Sequence, residues 1–303
     1  MAGKRKIKPS GIVIGGVVFL LVLLAVINAI RAGGMHDLHV APVSTASADA
    51  EYPLTVYFLD VGEGDGIVIR CGETVLVIDG GEREESDTVN ALLKSLGTNT
   101  VDCYIATHPH SDHIGAAAGI FGSMNVKSVL LPAFSELNVP TTNTYEKLLT
   151  AIQNQGCDVI YAEAGASHTF GDLKLQIFAP VEETGVYNNM SVVFRLEYGK
   201  TSFLFTGDAE KESEELMLAQ GYDLHADVLK VGHHGSSSST TPAFLEAVRP
   251  RLAVISCGKN NDYGHPHKEL LTLLSDAGVP YRRTDLNGTV VVYSDGKDVF
   301  VQE

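Results

Sequence analysis

The sequence has 303 residues, of which 45% are hydrophobic and 19% are charged, proportions that exclude a disordered tail and a fibrous repeat. The first 33 residues hold five basic residues and no acidic one, which leaves 17 basic against 37 acidic residues, a net charge of −20, in the remainder. So acidic a remainder excludes a basic surface that binds duplex DNA non-specifically. It therefore excludes a repressor or an architectural protein. It does not exclude an enzyme acting on phosphodiesters, because bound metal ions can supply local positive charge.

Residues 11–30 form an uncharged apolar segment, GIVIGGVVFLLVLLAVINAI. At ~1.5 Å per residue a helix of this length spans about 30 Å, the thickness of a bilayer's hydrocarbon core. It is longer than the roughly 7–15 apolar residues of a cleaved signal peptide. Four of the five basic residues lie before it and only Arg31 lies after it, so the positive-inside rule leaves residues 1–10 in the cytoplasm and exports the rest. The sequence predicts a single-pass protein of the cell membrane with a retained transmembrane signal-anchor.

Residues 31–51 are mostly small and polar, and they lack apolar periodicity. We interpret them as a linker between the anchor and an extracytoplasmic body formed by residues 52–303.

From Leu54 onward, short β-branched runs alternate with turns and with segments of helical spacing. The pattern predicts strands at 54–61, 66–70, 74–81, 101–107, 126–132, 159–162, 173–180, 191–198, 201–208, 228–232, 251–258 and 288–296. Helices are predicted at 86–96, 114–121, 145–155, 210–219 and 268–277, with a further one starting at Thr241. The strands come in two batches, each followed by helices, which indicates two packed sheets with helices outside.

Four cysteines, at positions 71, 103, 157 and 257, form no CxxC pair. This spacing excludes a zinc ribbon and a dense disulfide framework. We expect most of them to be small buried residues, with one long-range disulfide as the alternative outside the cytoplasm.

A dense group of potential metal ligands follows the predicted strand 101–107. His108, His110, Asp112 and His113 lie within six residues, and imidazole and carboxylate groups suit zinc and similar divalent ions. The alternative is a solvated polar loop. Clustering three imidazoles without a partner has no evident structural benefit, so we favour a metal site.

The pattern His108-x-His110-x-Asp112-His113 resembles the signature of the metallo-β-lactamase superfamily. Six further segments, in order, resemble the extracytoplasmic metallo-hydrolase domain of ComEC competence proteins and its free-standing relatives. They are FLDVGEGDG (58–66), VIDGG (77–81), NNMSVV (188–193), LFTGD (204–208), LKVGHHGS (229–236) and YGHPH (263–267). The resemblance covers residues 52–303 and implies an α+β fold, a four-layer αββα sandwich with a two-metal site at one edge between the sheets.

The resemblance implies a ligand set: His108 and His110 on the first metal, Asp112 and His113 on the second, and Asp208 bridging both. The last ligand falls at the pair His233-His234. Adjacent side chains on extended backbone diverge, so one of the two binds metal. We favour His234 and leave His233 to contact substrate or to support the loop.

The resemblance also implies supporting residues. Asp79 matches the acid that holds the ligand loop through hydrogen bonds, which fixes imidazole tautomers. Asn189 and Ser191 stand where many superfamily members place a third histidine on the first metal. Because an amide is a weaker ligand than imidazole, the first metal could favour a harder ion such as Mn²⁺. The other histidine in that interval, His168, is expected in a surface turn.

The candidate catalytic residues are Asp112, His233 and His265. The resemblance implies that His265 faces the site, where it could bind a phosphoryl oxygen or protonate a leaving group; the alternative is a loop that only opens a helix. Two further segments stay open. Ser236–Ser239 could bind an anion or form a flexible loop, and Asp65 could approach the site.

The sequence therefore predicts a hydrolase with two divalent metal ions, zinc by expectation and manganese as the alternative, which activate water. The leading function is a membrane-anchored phosphodiesterase or nuclease of the ComEC-like competence type. An alternative is a cell-envelope phosphodiesterase, such as a phosphorylcholine esterase, because an acidic body tolerates a small zwitterion better than a polyanion. The substrate is then DNA or an envelope phosphodiester. An alternative of another class, a non-catalytic anchored binding module, would have lost its ligands.

Overall fold

The computed structural model describes residues 43–46 and 52–302, all of which belong to one compact unit, Val40–Glu303. The predicted cytoplasmic tail and the predicted anchor at 11–30 lie outside the described residues, as does most of the predicted linker. Within the described ranges, no helix is both long and apolar enough to cross a membrane.

The first sheet has nine strands among the described residues. In spatial order they are β1 (Ser44–Ala46), β18 (Val299–Gln302), β17 (Val290–Ser294), β2 (Leu54–Phe58), β3 (Gly66–Cys71), β4 (Thr74–Asp79), β6 (Cys103–Ile105), β8 (Ser128–Leu131) and β9 (Asp158–Tyr161). The strands from β18 to β4 pair antiparallel. From β4 to β9 the pairing is parallel, so β4, β6 and β8 end at the same edge of the sheet.

The second sheet has seven strands among the described residues. In spatial order they are β10 (Ser167–Phe170), β11 (Leu173–Ala179), β12 (Val193–Tyr198), β13 (Thr201–Phe205), β14 (Val228–Lys230), β15 (Leu252–Ile255) and β16 (Tyr281–Arg283). The first four pair antiparallel and the last four parallel. The carboxyl ends of β13, β14 and β15 therefore meet at one edge. A separate small pair joins β5 (Thr100–Val101) to β7 (Asn125–Val126).

The two sheets pack face to face because successive side chains along each strand point to opposite faces of the sheet. Leu54, Val56 and Phe58 of β2 point into the central core, which also contains Phe203 and Phe205 of β13. Residues of opposite parity face outward, where they pack under helices. One apolar face from each sheet is thus removed from water, which is the main favourable contribution to this packing.

Helices cover the outer face of each sheet. On the first sheet these are Ser86–Ser95, Ala117–Ser123 and Asn143–Gln155; on the second they are Lys211–Ala219, Pro242–Val248 and Lys268–Asp276. Short helices occupy Ser111–Ile114 and Thr284–Asn287, and 3₁₀ turns occupy Arg83–Glu85, Tyr187–Met190 and His233–Gly235. The layer order is helix, sheet, sheet, helix, so the predicted four-layer αββα sandwich is confirmed.

Differences from the predicted elements have local causes. The helix Asn143–Gln155 begins two residues before its prediction because the Thr142 hydroxyl accepts a hydrogen bond from the Tyr145 amide at 3.2 Å. Strands β1, β10, β16 and β18 were not predicted. The strand β1 lies inside the predicted linker, and its small polar sequence carries no apolar alternation; it is held by parallel pairing to β18. All four cysteines are free, and the disulfide alternative is wrong.

Candidate metal centre

Loops from both sheets converge at one edge of the sandwich. Strand β4 ends at Asp79, β6 leads into the loop that starts at His108, and β13 leads to Asp208. Strands β14 and β15 lead to the turn His233–Gly235 and to Ser256. Because parallel strands end together, residues far apart in sequence become neighbours here.

One group of potential metal ligands contains Asp112, His113, Asp208 and His234, with one ligand atom from each lying within 4.8 Å of the others. The Nε2 atoms of His113 and His234 are 3.2 Å apart, and each lies close to Asp208 Oδ1, at 3.2 and 3.3 Å. Asp112 Oδ2 is 3.4 Å from His234 Nε2. The histidine that the sequence favoured from the pair 233–234 is thus the one that joins this group.

A second group contains His108, His110 and Asp208, again with one ligand atom from each within 4.8 Å. The atoms His108 Nε2 and His110 Nδ1 are 3.0 Å apart. The other oxygen of Asp208, Oδ2, lies 3.7 Å from His108 Nε2. Each oxygen of Asp208 therefore faces a different group, which is the placement that a bridging carboxylate requires.

These residues fit divalent cations. Asp208 Oδ1 is buried and has no hydrogen-bond partner within the described part of the chain, although two imidazole nitrogens face it. A buried carboxylate oxygen without a partner is costly unless a cation or a proton compensates it. Imidazole nitrogen together with carboxylate oxygen is the donor set that zinc and similar ions prefer.

A hydrogen-bonded chain that starts at Asp79 orients two of the imidazoles. Asp79 Oδ2 accepts from His113 Nδ1 at 2.8 Å and from the Thr107 hydroxyl at 2.6 Å. The Thr107 oxygen in turn lies 3.1 Å from His108 Nδ1. With Nδ1–H donated to these acceptors, both rings present Nε2 to the centre. Asp79 thus lies where the sequence placed it, and Thr107 is an intermediary that the sequence analysis missed.

His234 is fixed by its own acceptor and by the backbone. Its Nδ1 lies 3.1 Å from the carbonyl oxygen of Ser256, so Nε2 is again directed at the centre. Asp79, His233 and His234 adopt positive φ angles of 53°, 48° and 52°. Non-glycine residues rarely adopt this conformation, and such strain concentrates at functional sites.

The ionisable groups at the centre shift one another's pKa values. Burial lowers the pKa of His108 well below its ordinary value. Burial also opposes charge on His113 and His234, but the surrounding carboxylates, Asp208 foremost, outweigh it: they raise the pKa of His113 well above its ordinary value and that of His234 to about 10. Against its own desolvation, Asp208 has its pKa held well below the usual range by these two imidazoles.

His233 lies beside the centre rather than in either group. Its Nδ1 is 3.1 Å from Glu210 Oε1 and 3.2 Å from the Ser238 hydroxyl, while its Nε2 is 3.8 Å from Asp208 Oδ2. Burial lowers its pKa. The side chain is partly exposed, so its Nε2 edge can meet a bound substrate.

Asn189 and Ser191 support the centre. The Asn189 amide accepts from the Glu210 backbone N–H at 3.0 Å and donates to Glu212 at 2.9 Å, so both of its polar atoms are used on the entry to the helix Lys211–Ala219. The Ser191 hydroxyl accepts from the Asp208 backbone N–H at 3.0 Å and fixes the bridging residue.

Asp65 and Lys230 form an ion pair beneath the centre. Asp65 Oδ1 lies 3.8 Å from His234 Nδ1, and Asp65 Oδ2 lies 4.0 Å from His113 Nδ1 and 2.5 Å from Lys230 Nζ. The approach of Asp65 was an open possibility in the sequence, but Lys230 was missed. A lysine inside the apolar run of β14 was the available signal, because lysine is rarely buried without a partner.

Gly64 shows how closely the loop before β3 approaches the ligand loop. A Cβ at this position would lie 1.9 Å from the Asp112 carbonyl oxygen, and its φ of 115° is open to glycine alone in practice. The loop 59–65 therefore packs directly against the backbone of a candidate ligand.

The remaining candidates are also placed. His168 lies in strand β10 rather than in the expected turn, and it belongs to no ligand group within the described ranges. The serine segment is held by hydrogen bonds: the Ser238 hydroxyl donates to Glu210 at 3.0 Å and the Ser239 hydroxyl to the Ala209 carbonyl at 2.9 Å. The His265 ring lies 5.5 Å from the His233 ring, at the border of the centre.

Known proteins resemble this chain in sequence. A model of the metallo-β-lactamase superfamily matches residues 59–259. The ComE operon protein 3 of Bacillus subtilis is 33% identical over 254 residues, covering 78% of this chain and 32% of that protein. The competence protein ComA of Neisseria gonorrhoeae is 27% identical over 254 residues, covering 81% of this chain and 33% of that protein. The chain thus spans about a third of the length of these relatives.

Among solved structures, the metallo-β-lactamase fold protein YhfI from Bacillus subtilis superposes with a TM-score of 0.51 at 14% sequence identity, covering 79% of this chain and 98% of that one. At this identity the likeness concerns the fold alone.

Proposed function

Because the chain belongs to the metallo-β-lactamase superfamily, we propose that it is a two-metal phosphodiesterase with DNA as its substrate. The observation that carries the proposal is the pair of ligand groups that share one buried carboxylate, Asp208. In a phosphodiester the attacking and the leaving oxygen flank one phosphorus atom, and paired cations a few ångströms apart suit both.

The residues at the centre have distinct tasks in this proposal. Two divalent ions, zinc in our proposal, supply Lewis-acid activation of water and charge neutralisation when bound. Asp208 and Asp112 supply the carboxylate ligands, and the partly exposed His233 contacts a phosphoryl oxygen. His265 donates a proton to the oxygen that leaves.

Two observations support the substrate and the location. The relatives at 27–33% identity include a competence protein, and the sequence motifs resemble that branch, which supports a DNA-directed activity. The apolar segment 11–30, with basic residues before it, supports an anchor in the cell membrane and an extracytoplasmic body. Protease treatment of intact cells should digest the body and spare the N-terminal tail.

A cell-envelope phosphodiesterase is the second candidate, and the charge of the body favours it. The net charge of −20 outside the first 33 residues opposes a polyanion more than it opposes a small zwitterion such as a phosphorylcholine ester. This candidate uses the same metal centre. Its substrate differs from DNA in the group that is esterified to the phosphate.

A substrate panel with the full-length protein in detergent tests these proposals. We expect two metal equivalents after loading with Zn²⁺ or Mn²⁺, hydrolysis of bis-p-nitrophenyl phosphate, and cleavage of single-stranded DNA. DNA that stays intact while p-nitrophenyl phosphorylcholine is hydrolysed would reject the nuclease and favour the envelope enzyme. A protein that retains no metal and cleaves nothing would be a binding module.

A further inference from the structure

An ion pair at the rim of the centre joins two residues that are 202 positions apart. Glu63 Oε1 lies 3.0 Å from His265 Nδ1, and both side chains are largely buried, with exposed fractions of 18% and 6%. Glu63 comes from the loop before β3, in the first sheet, and His265 from the loop after β15, in the second. The contact therefore spans the edge of the sandwich beside the ligand groups.

The structure holds the Glu63 carboxylate from both sides. Its Oε2 accepts from the Gly258 backbone N–H at 3.1 Å, while Oε1 accepts from His265. A Cβ at Gly258 would lie 2.7 Å from the Glu63 backbone nitrogen, so the two loops touch only because this residue has no side chain. Both carboxylate oxygens are thus used, which fixes the rotamer of Glu63.

The His265 backbone is fixed as well. The Asn261 side chain accepts from the His265 N–H at 2.9 Å and donates to the His265 carbonyl at 2.7 Å. The Tyr263 ring stacks on the imidazole with centroids 5.6 Å apart and planes 17° from parallel. Glu63 occupies Nδ1, which leaves Nε2 as the ring atom that can face a substrate.

The His265 ring lies beside one of the two ligand groups. The His265 ring lies 5.5 Å from the ring of His233 and 6.1 Å from that of His234, so it borders the group that contains Asp112, His113, Asp208 and His234.

We infer that Glu63 is a positioning residue for His265, and this inference rests on the proposed phosphodiesterase function. By accepting a hydrogen bond from Nδ1–H, Glu63 orients the imidazole so that Nε2–H points at the leaving oxygen. A new P–O bond forms to the water oxygen, whose proton goes to solvent, and the P–O bond to the leaving group breaks. The electron pair stays on the leaving oxygen, which takes the Nε2 proton; His265 then regains a proton from solvent.

The test compares leaving groups that do and do not need a proton. In Glu63→Ala, kcat for single-stranded DNA, with its alkoxide leaving group, should fall by about 10-fold or more, and in His265→Gln by about 100-fold or more. Hydrolysis of bis-p-nitrophenyl phosphate, whose p-nitrophenolate leaves without a proton, should change by less than about 3-fold in both. The double variant should be no slower than His265→Gln, since Glu63 acts through that ring.

A spectroscopic readout is independent of turnover. In the metal-free full-length protein with ¹⁵N-labelled histidine, the hydrogen-bonded Nδ1–H signal that disappears in His265→Gln should also be lost or shifted in Glu63→Ala. The matched control is Glu183→Ala, at an exposed glutamate that accepts a backbone N–H from Ser135 at 2.8 Å. This control should keep both the signal and the DNA rate.

The outcomes separate the two proposals. A wild-type protein that hydrolyses neither substrate overturns the phosphodiesterase itself. If the wild type cleaves both, and Glu63→Ala either matches Glu183→Ala or slows both substrates equally, the role of Glu63 is overturned while the phosphodiesterase stands. An unchanged His265 signal in Glu63→Ala would also reject the positioning role of Glu63.

Discussion

The ammonium group of Lys230 lies 2.5 Å from the carboxylate of Asp65, and each side chain has an exposed fraction of 1% or less. Lys230 belongs to β14 of the second sheet, while Asp65 directly precedes β3 of the first. Lys230 Nζ also donates to the Gly207 carbonyl at 3.4 Å, one residue before the bridging Asp208. The pair thus joins the two sheets directly beneath the metal centre.

Removing one partner of this pair should destabilise the protein strongly. Lys230→Met leaves the Asp65 carboxylate buried without its counter-ion, which costs about 3–5 kcal/mol of unfolding free energy. Urea unfolding of the metal-free protein measures this. The exposed pair Lys174–Glu197 gives the control: Lys174→Met should change stability by about 0.5 kcal/mol or less. Equal effects of the two substitutions would contradict a structural role for the buried pair.

Asp79→Asn should weaken metal binding without removing a ligand. The amide has one acceptor oxygen in place of two. It cannot accept both from the Thr107 backbone N–H, which Oδ1 now does, and from the Thr107 hydroxyl and His113 Nδ1, which Oδ2 now does, so the orientation of the His113 ring is less well fixed. Substitutions of such supporting residues typically cost about 10–100-fold in metal affinity. Competition with a fluorescent zinc chelator measures the change. Asp102→Asn, at a carboxylate that accepts from the Val75 backbone, should leave the affinity unchanged.

Asp208→Ala should abolish hydrolysis and release metal from both groups, because this carboxylate belongs to each of them. His168→Ala should do neither, since that histidine lies in β10 apart from the ligand groups of the described ranges. Elemental analysis of the purified variants checks both. A lost metal equivalent in His168→Ala would show that the segment around Asn189 has been assigned wrongly.

Metal binding at neutral pH should release protons. His113 and His234 have raised pKa values, to about 10 for His234, so the metal-free protein holds protons on these rings at pH 7 that a bound cation displaces. Calorimetric Zn²⁺ titration in buffers of different ionisation enthalpy should show at least about one proton released per protein. Heats that do not depend on the buffer would contradict the protonated state.

The same shifts predict how the stability of the metal-free protein depends on pH. A histidine whose pKa is raised on folding stabilises fully below its ordinary value of 6.5, and this contribution is lost as pH rises through the folded value. For His234 the loss extends to about pH 10. The urea midpoint of metal-free protein should therefore fall between pH 6.5 and 10, and a midpoint that rises over this window would contradict it.

The ligand loop could be predicted because its candidate metal ligands lie close together in the sequence. His108 to His113 lie in six residues directly after a β-branched strand, and strands deliver loops to sheet edges. The sandwich followed from alternation and from the two batches of strands. The divergence of adjacent side chains predicted that only one of His233 and His234 binds metal. In the structure both residues adopt positive φ angles, and His234 is the one that joins a ligand group.

The missed residues share a physical cause, which is pairing across long sequence separations. Glu63 and His265 are 202 residues apart, and Asp65 and Lys230 lie in different sheets. The missed member of each pair does not show its role alone: in the sequence, Glu63 is an ordinary polar loop residue, and Lys230 is only an unusual residue in an apolar strand. Strand β1 was missed because edge pairing through backbone groups needs no apolar pattern.

A single carboxylate serving two ligand groups has a thermodynamic consequence. Asp208 faces both groups, one with each oxygen. A cation bound at one group therefore changes the charge and the mobility of the Asp208 oxygen that faces the other group. Whatever factor the first occupant imposes on the affinity for the second, the second imposes the same factor on the first. The two cation equilibria are therefore one linked system, with a shared cooperativity constant in place of two independent dissociation constants.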